Sequence, residues 1–209
     1  MLIKEIIKEL KAHAPMTFLG AVFGIILVFF FNKISYQTAE NLFYISHPAH
    51  VLLSALTTAA MYQRYQCPID KKNCNIFFIL VIGYVGSIGI ATLSDSVIPF
   101  LGEKMLNMPH AHMHVGFIEK PLLINSMALL GIIIAYFNPT TKFPHLGHVL
   151  LSTFASMFHI MMAKDAGMSI AIYIPIMIFL FISVWLPCCI SDIVFPLMFV
   201  KSPHIGHDH

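Results

Sequence analysis

The sequence predicts an all-α integral membrane protein whose six transmembrane helices form a 3+3 inverted-topology repeat. Two observations predict this fold. The 209 residues are 58% hydrophobic and only 11% charged, whereas an ordinary soluble domain carries about 25% charged residues. The chain also repeats itself, because "HVLLS" occurs at His50 and again at His148. The composition points to the bilayer as the solvent, and the repeat points to two related halves.

Six apolar stretches are candidates for membrane-spanning helices, each of which needs about 20 mostly apolar residues. The predicted spans are 16–31, 48–65, 75–93, 121–137, 145–163 and 168–187. Residues 1–13 are charged and amphipathic. We expect this first segment to be an interfacial helix that lies along the membrane surface.

The internal repeat has further landmarks that keep their order. The third span ends in "SDSVIPF" and the sixth in "SDIVFPL", and a histidine-rich segment follows each. These matches divide the chain into a first repeat, residues 14–114, and a second repeat, residues 115–209. Because each repeat has an odd number of spans, the second copy is inverted relative to the first, as in many secondary transporters.

The positions of the basic residues predict the orientation. The side that holds the amino terminus carries more of them than the other side, and such an excess marks the cytoplasmic face. That side has Lys4, Lys8, Lys11, Arg64, Lys71, Lys72, Lys142 and Lys201, whereas the other has Lys33, Lys104, Lys120 and Lys164. We therefore expect a protein of the cytoplasmic membrane with both termini in the cytoplasm.

Each repeat supplies two histidines and one aspartate that are candidate metal ligands. His47 and His50 are three residues apart, so they share one helix face. The third predicted span ends near Asp95. The second repeat has the equivalent set at His145, His148 and Asp192. Imidazole and carboxylate ligands together suit a divalent transition metal such as Zn, Ni, Co, Fe or Cu. The inverted topology predicts that the two sets lie at opposite membrane faces.

The remaining candidate ligands are the histidines near the repeat ends and one histidine inside a span. His159 lies deep in the fifth predicted span, on the same face as His148, and is a candidate relay ligand or proton acceptor. The histidine-rich segments are candidate ion collectors and contain His110, His112, His114, His204 and His207. The cysteines, Cys188 among them, could supply soft ligands for a departing ion, but a role as reduced bystanders is preferred.

Local signals also predict where the helices carrying these residues begin and end. Ser46 has the character of an N-cap with Pro48 in the first helical turn, so His47 and His50 are expected at a helix amino terminus. Asp95 is expected at the carboxyl end of the third span, where the helix dipole disfavours a lone carboxylate. A bound cation would relieve that cost.

The pattern of motifs favours transport over the other functions. The chain contains no Gly-x-Ser-x-Gly, His-Glu-x-x-His, P-loop or haem-attachment motif, and its net charge of +2 gives no reason to expect nucleic acid as a partner. The expected partners are the lipid bilayer and a metal ion, and a homo-oligomer is left open. The leading hypothesis is a divalent transition-metal transporter. A membrane-bound metalloenzyme or redox subunit with a His/Asp-ligated metal, and a scaffold subunit that binds no metal, are alternatives.

Overall fold

The computed structural model describes residues 2–30, 33–67, 75–140, 142–164, 170–190 and 194–199. Every regular element within these ranges is helical, which confirms the all-α prediction. The elements are α1 (Leu2–Phe30), α2 (Tyr36–Gln66), α3 (Ile76–Thr92), a π-helical turn (Leu93–Val97), α4 (Ile98–Met105), α5 (Gly116–Glu119), α6 (Pro121–Phe137), α7 (Lys142–Ala163), a 3₁₀ turn (Ile170–Ile172), α8 (Tyr173–Cys189) and α9 (Phe195–Met198).

Helix α2 is much longer than the predicted span 48–65. Ser35 is its N-cap, and the Ser35 hydroxyl accepts a hydrogen bond from the backbone N–H of Thr38. The prediction that Ser46 caps this helix is wrong, because Ser46 lies inside α2 and donates to the carbonyl of Leu42 at 2.8 Å. Pro48 is also interior. His47 and His50 therefore lie in the middle of a helix, where a helix dipole has little effect.

The third apolar segment was predicted to end near Leu93. It instead continues as one helical run over Ile76–Met105. The run passes through the π-helical turn, so Asp95 lies within it and not at its carboxyl end. A π-turn disturbs the regular backbone hydrogen bonding of an α-helix. Here Ser156 of α7 donates to the carbonyl of Ser94 at 2.9 Å, which supplies that carbonyl with a partner from another helix.

Helix α1 also differs from the prediction at its amino end. Residues 1–13 were expected to form a separate interfacial helix, but the described part of this segment belongs to one helix that extends to Phe30 and includes Pro15. Proline in a helix interior removes one backbone hydrogen bond. The boundary between the predicted surface segment and the predicted span therefore falls inside a continuous helix.

Helix α2 lies at the centre of the packing and contacts α3, α6 and α7. Helix α1 packs against α7 and α8, and α6 packs against α2 and α3. Helices α2 and α7 run in opposite directions. His50 contacts His148, whereas Phe43, two turns earlier in α2, contacts His159, three turns later in α7.

Large apolar side chains are common on the described surface, and several polar side chains are buried. Many large apolar side chains are exposed, for example Leu122 at 84% and Phe137 at 76%. The interior holds apolar side chains together with hydroxyls, imidazoles and carboxylates. By length and composition, one described helix, Ile76–Met105, is able to cross a membrane, and the other apolar helices found are shorter: Thr17–Leu27, Pro121–Phe137, Gly147–Ala163 and Tyr173–Cys188. The number of six spans thus stays a prediction.

Candidate metal centre

Asp95 is fully buried and connects three elements through its carboxylate. His47 and His50 of α2 direct their Nδ1 atoms at Oδ2, at 2.9 and 2.7 Å. Ser94, beside Asp95 in the π-turn, donates to Oδ1 at 2.6 Å, and Ser152 of α7 donates to the same oxygen at 2.9 Å. Both carboxylate oxygens are therefore occupied by two partners each.

These contacts determine which nitrogen of each histidine carries the proton. A carboxylate only accepts hydrogen bonds, so His47 and His50 each donate from Nδ1–H. A neutral imidazole that donates from Nδ1 has its lone pair on Nε2. Both Nε2 atoms are buried and make no hydrogen bond to any described residue. A carboxylate that orients a histidine in this manner is a recurring partner of metal-ligating histidines. Asp95 thus has the geometry of an orienting group.

His50, His148 and Cys188 form a group that could hold a metal ion. One ligand atom from each lies within 4.8 Å of the others, and all three residues are buried. The rings of His50 and His148 are in edge contact, with centroids 5.4 Å apart. The expectation that these two histidines lie at opposite membrane faces is wrong. The antiparallel crossing of α2 and α7 brings them together.

The sequence favoured a bystander role for Cys188 over a role as a metal ligand. Cys188 lies near the carboxyl end of α8, is 1% exposed and is not disulfide-bonded. Cys188 and Cys189 are adjacent in an apolar segment, so the sequence does not distinguish them from the other apolar residues of that helix. Only the packing of α8 against α7 brings this thiol to the two histidines.

His47 is held differently from His50. Its ring stacks on Phe43, with centroids 5.2 Å apart and an angle of 5° between the planes. Its other side faces Gly116 at the start of α5. A Cβ atom at Gly116 would lie 2.5 Å from Cδ2 and 2.6 Å from Nε2 of His47. The Nε2 atom of His47 is therefore covered by backbone, whereas His50 faces the other candidate ligands.

His159 is part of a second carboxylate–histidine pair, which the sequence did not predict. Its Nδ1 lies 2.7 Å from Oε1 of Glu103, and both side chains are fully buried. Its Nε2 accepts a hydrogen bond from the backbone N–H of His114 at 3.2 Å. Both ring nitrogens are thus engaged, so in this conformation neither is available to an ion. The Oε2 atom of Glu103 has no hydrogen-bond partner among the described residues.

The loop between α4 and α5 holds a second group with suitable ligand atoms. His112, His114 and Glu119 each offer one atom within 4.8 Å of the others. Burial, followed by the nearby charges of His159 and His112, lowers the pKa of His114 to about 4, so this imidazole is neutral near pH 7. His110 on the same loop is exposed and does not belong to the group.

Several predicted residues lie outside the part of the chain that the structure describes. These are Asp192, His204 and His207, and also the side chain of His145, although its backbone belongs to α7.

No protein-family model, curated protein or solved structure matches the chain. The site must therefore be interpreted from its own chemistry. Two imidazoles and a thiol suit Zn, Co, Ni or Cu, whereas Mg and Ca prefer oxygen ligands.

Proposed function

We propose that this protein transports a divalent transition-metal ion across the cytoplasmic membrane by alternating access. It is built from two inverted halves of three spans each, residues 14–114 and 115–209. The ion binds between the halves at His50, His148 and Cys188. This single shared site replaces the two separate sites that the sequence suggested.

The polarity of the chain supports a membrane location. Charged residues make up 11% of the sequence, and large apolar side chains cover much of the described surface. Apolar patches of this extent are unusual on soluble monomers. Within a bilayer, polar and ionisable side chains turn toward the bundle interior and mark functional sites. Asp95, Glu103 and the buried histidines follow this rule.

The packing supports two inverted halves. Helix α1 contacts the second and third helices of the other half, α7 and α8, and α6 makes the reciprocal contacts with α2 and α3. The two repeats also meet through equivalent helices, α2 and α7, which run antiparallel. Exchange of the halves leaves this set of contacts unchanged, as a two-fold axis in the membrane plane requires.

The observation that carries the proposal is the meeting of His50 with His148. These residues are equivalent in the sequence repeat, and their rings lie in contact in the interior. Residues related by a two-fold axis can touch only where they lie near that axis. In inverted-repeat transporters, the ion site lies at this interface, near the middle of the membrane. Cys188 adds a third donor within 4.8 Å.

The chemistry of the group fits an ion that binds and leaves. The Nε2 lone pair of His50 is held ready by Asp95, and a Cys188 thiolate would offset one charge of a dication. Three protein donors leave at least one coordination position open, because Zn²⁺ is usually four-coordinate. Rocking of the halves about α2 and α7 separates His50 from His148 and lowers the affinity, so the ion is released.

The direct test is uptake of Zn²⁺ or Co²⁺ by proteoliposomes that contain the full-length protein. We expect a His50→Ala, His148→Ala double variant to lose uptake, because two of three donors are removed. His110→Ala is the matched control, since it removes an exposed histidine, and should retain the wild-type rate. A double variant with the wild-type rate would falsify the proposal.

A second candidate is a copper redox subunit of the membrane, and the donor set itself favours it. Two histidines and one cysteine are the equatorial ligands of blue-copper electron-transfer sites. Metal analysis and an optical spectrum of the purified protein separate the two candidates. Tightly held stoichiometric copper with an intense visible thiolate band supports the redox subunit. A weakly held, exchangeable divalent ion supports the transporter.

A further inference from the structure

The loop that joins α4 to α5 brings a buried histidine close to two residues at the surface. His114 is 7% exposed, whereas His112 and Glu119 lie at the surface. The rings of His112 and His114 have centroids 4.8 Å apart. Glu119 reaches back from the end of α5, and its Oε2 lies 3.4 Å from Nδ1 of His114. Two imidazoles and one carboxylate thus lie close together.

We propose that His112, His114 and Glu119 hold a second divalent transition-metal ion, separate from the ion at His50, His148 and Cys188. Two histidines and a glutamate are an established set of three protein ligands for Zn²⁺, with the fourth position open to water. The site has no thiol and two surface ligands, so it exchanges its ion with the surrounding solution. The proposal does not require that the central ion be transported.

The orientation of His114 is fixed by a group that is not itself a ligand. The hydroxyl of Tyr36 lies 3.1 Å from Nε2 of His114. A tyrosine hydroxyl can accept the Nε2–H proton of a neutral imidazole. Without an ion, the Nδ1–H of His114 donates to the carboxylate of Glu119, and its Nε2 accepts from the Tyr36 hydroxyl. An ion that takes the place of the Nδ1 proton leaves the imidazole protonated on Nε2, which then donates to the Tyr36 oxygen. Such a partner sets the tautomer of a metal-binding histidine and raises its affinity.

The loop is also bonded to buried residues of the bundle. The backbone N–H of His114 donates to Nε2 of His159, whose other nitrogen is bonded to Glu103. Glu119 belongs to α5, and Gly116 at the start of α5 lies against the ring of His47. The second site is thus connected by direct contacts to both buried carboxylate–histidine pairs, and the backbone of His114 and helix α5 are held in place before an ion arrives.

The test is Co²⁺ binding to the full-length protein, purified in detergent, in which His204, His207 and His209 are replaced by alanine. This background removes the terminal histidines as competing ligands. We expect two ions per chain. One gives a thiolate-to-cobalt charge-transfer band from Cys188, and the other does not. Cys188→Ser should abolish the band and keep the second ion, which separates the two sites.

The decisive variant in this background is His112→Ala, Glu119→Gln. We expect it to bind the second ion at least about tenfold more weakly and to keep the charge-transfer band, which also shows that the protein is folded. His110→Ala should bind both ions as the background does. If the double variant binds the second ion with unchanged affinity, the site is not at these residues. If the background binds no ion that lacks the thiolate band, there is no second site.

Discussion

Two buried carboxylate–histidine pairs occupy neighbouring parts of the bundle and have different consequences. Asp95 accepts the Nδ1–H of His50, and the Nε2 of His50 then has no hydrogen-bond partner within the described residues. Glu103 pairs with Nδ1 of His159, but Nε2 of His159 accepts a backbone N–H from His114. In the first pair, the Nε2 lone pair of His50 could bind a metal. In the second, the Nε2 lone pair of His159 is already used by a hydrogen bond.

The comparison shows that a buried histidine beside a carboxylate is not by itself a metal ligand. What decides its role is the partner of the second ring nitrogen. We expect a histidine whose lone pair is free and next to other donors, as at His50, to bind a metal. A lone pair already used by backbone, as at His159, makes a tether between a loop and a helix. The predictions below test this difference.

The largest effect is expected for Asp95→Asn, which removes the charge that orients His47 and His50. Loss of such an orienting carboxylate typically weakens metal affinity about 10- to 100-fold. Titration of the purified variant with Co²⁺, followed at the thiolate charge-transfer band, measures the change. An unaltered affinity would show that Asp95 does not prepare His50 for the ion.

Glu103→Gln is the matched substitution in the pair Glu103–His159 and should lower stability without changing the affinity of the central site. A hydrogen bond to a buried charged group contributes about 1.5–3 kcal/mol, so we expect a free energy of unfolding lower by about 2 kcal/mol. The midpoint of thermal unfolding in detergent reports this loss. Co²⁺ affinity at the central site should not change, and a loss there as large as that of Asp95→Asn would contradict the distinction between the pairs.

Gly116→Ala tests how closely α5 packs against the ring of His47, which also bonds to Asp95. A Cβ at Gly116 would lie 2.5 Å from Cδ2 of that ring, so Gly116→Ala forces the ring or α5 to move. Overpacking of this kind costs about 1–3 kcal/mol. Gly89→Ala is the control, because no atom lies within 4 Å of its added Cβ, and alanine in a helix interior stabilises by about 0.5–1 kcal/mol. Opposite shifts of the thermal midpoint are expected, and equal shifts would contradict this packing.

The smallest effect is expected for Ser156→Ala. This change removes the hydroxyl that donates to the carbonyl of Ser94 in the π-turn. An unsatisfied buried acceptor costs about 1–3 kcal/mol, and the low end applies if the turn relaxes. We expect the thermal midpoint to fall slightly and the Co²⁺ affinity to fall less than in Asp95→Asn. An unchanged midpoint would mean that the π-turn does not depend on α7.

The sequence contained enough information for the helical class and for part of the site. The spacing of His47 and His50 put both on one helix face, and the repeat matched His50 to His148. Asp95 was identified because it recurs in the second copy. These inferences depend only on helical periodicity and on comparison of the chain with itself, so no tertiary contact was needed.

Other features depend on contacts that no local pattern reveals. Ser46 and Pro48 have the composition of a helix start, yet α2 begins at Tyr36, where Ser35 is the N-cap. The crossing point of α2 and α7 is a property of packing, so the meeting of His50 with His148 could not be located. Glu103 and Glu119 belong to segments that have the composition of surface loops, so nothing marked them as partners of a histidine or an ion. Cys188 lies in an apolar helix, which favoured a bystander role for its thiol.

The central claim is that histidines from the two repeats and Cys188 bind one ion together. X-ray absorption of the full-length protein tests it most directly, with one equivalent of Zn²⁺ and with His112, His204 and His207 replaced by alanine to remove competing ligands. We predict one sulfur neighbour at about 2.3 Å and nitrogen neighbours at about 2.0–2.1 Å, with the sulfur lost in Cys188→Ser. A shell of nitrogen and oxygen alone, unchanged by Cys188→Ser, would contradict the claim.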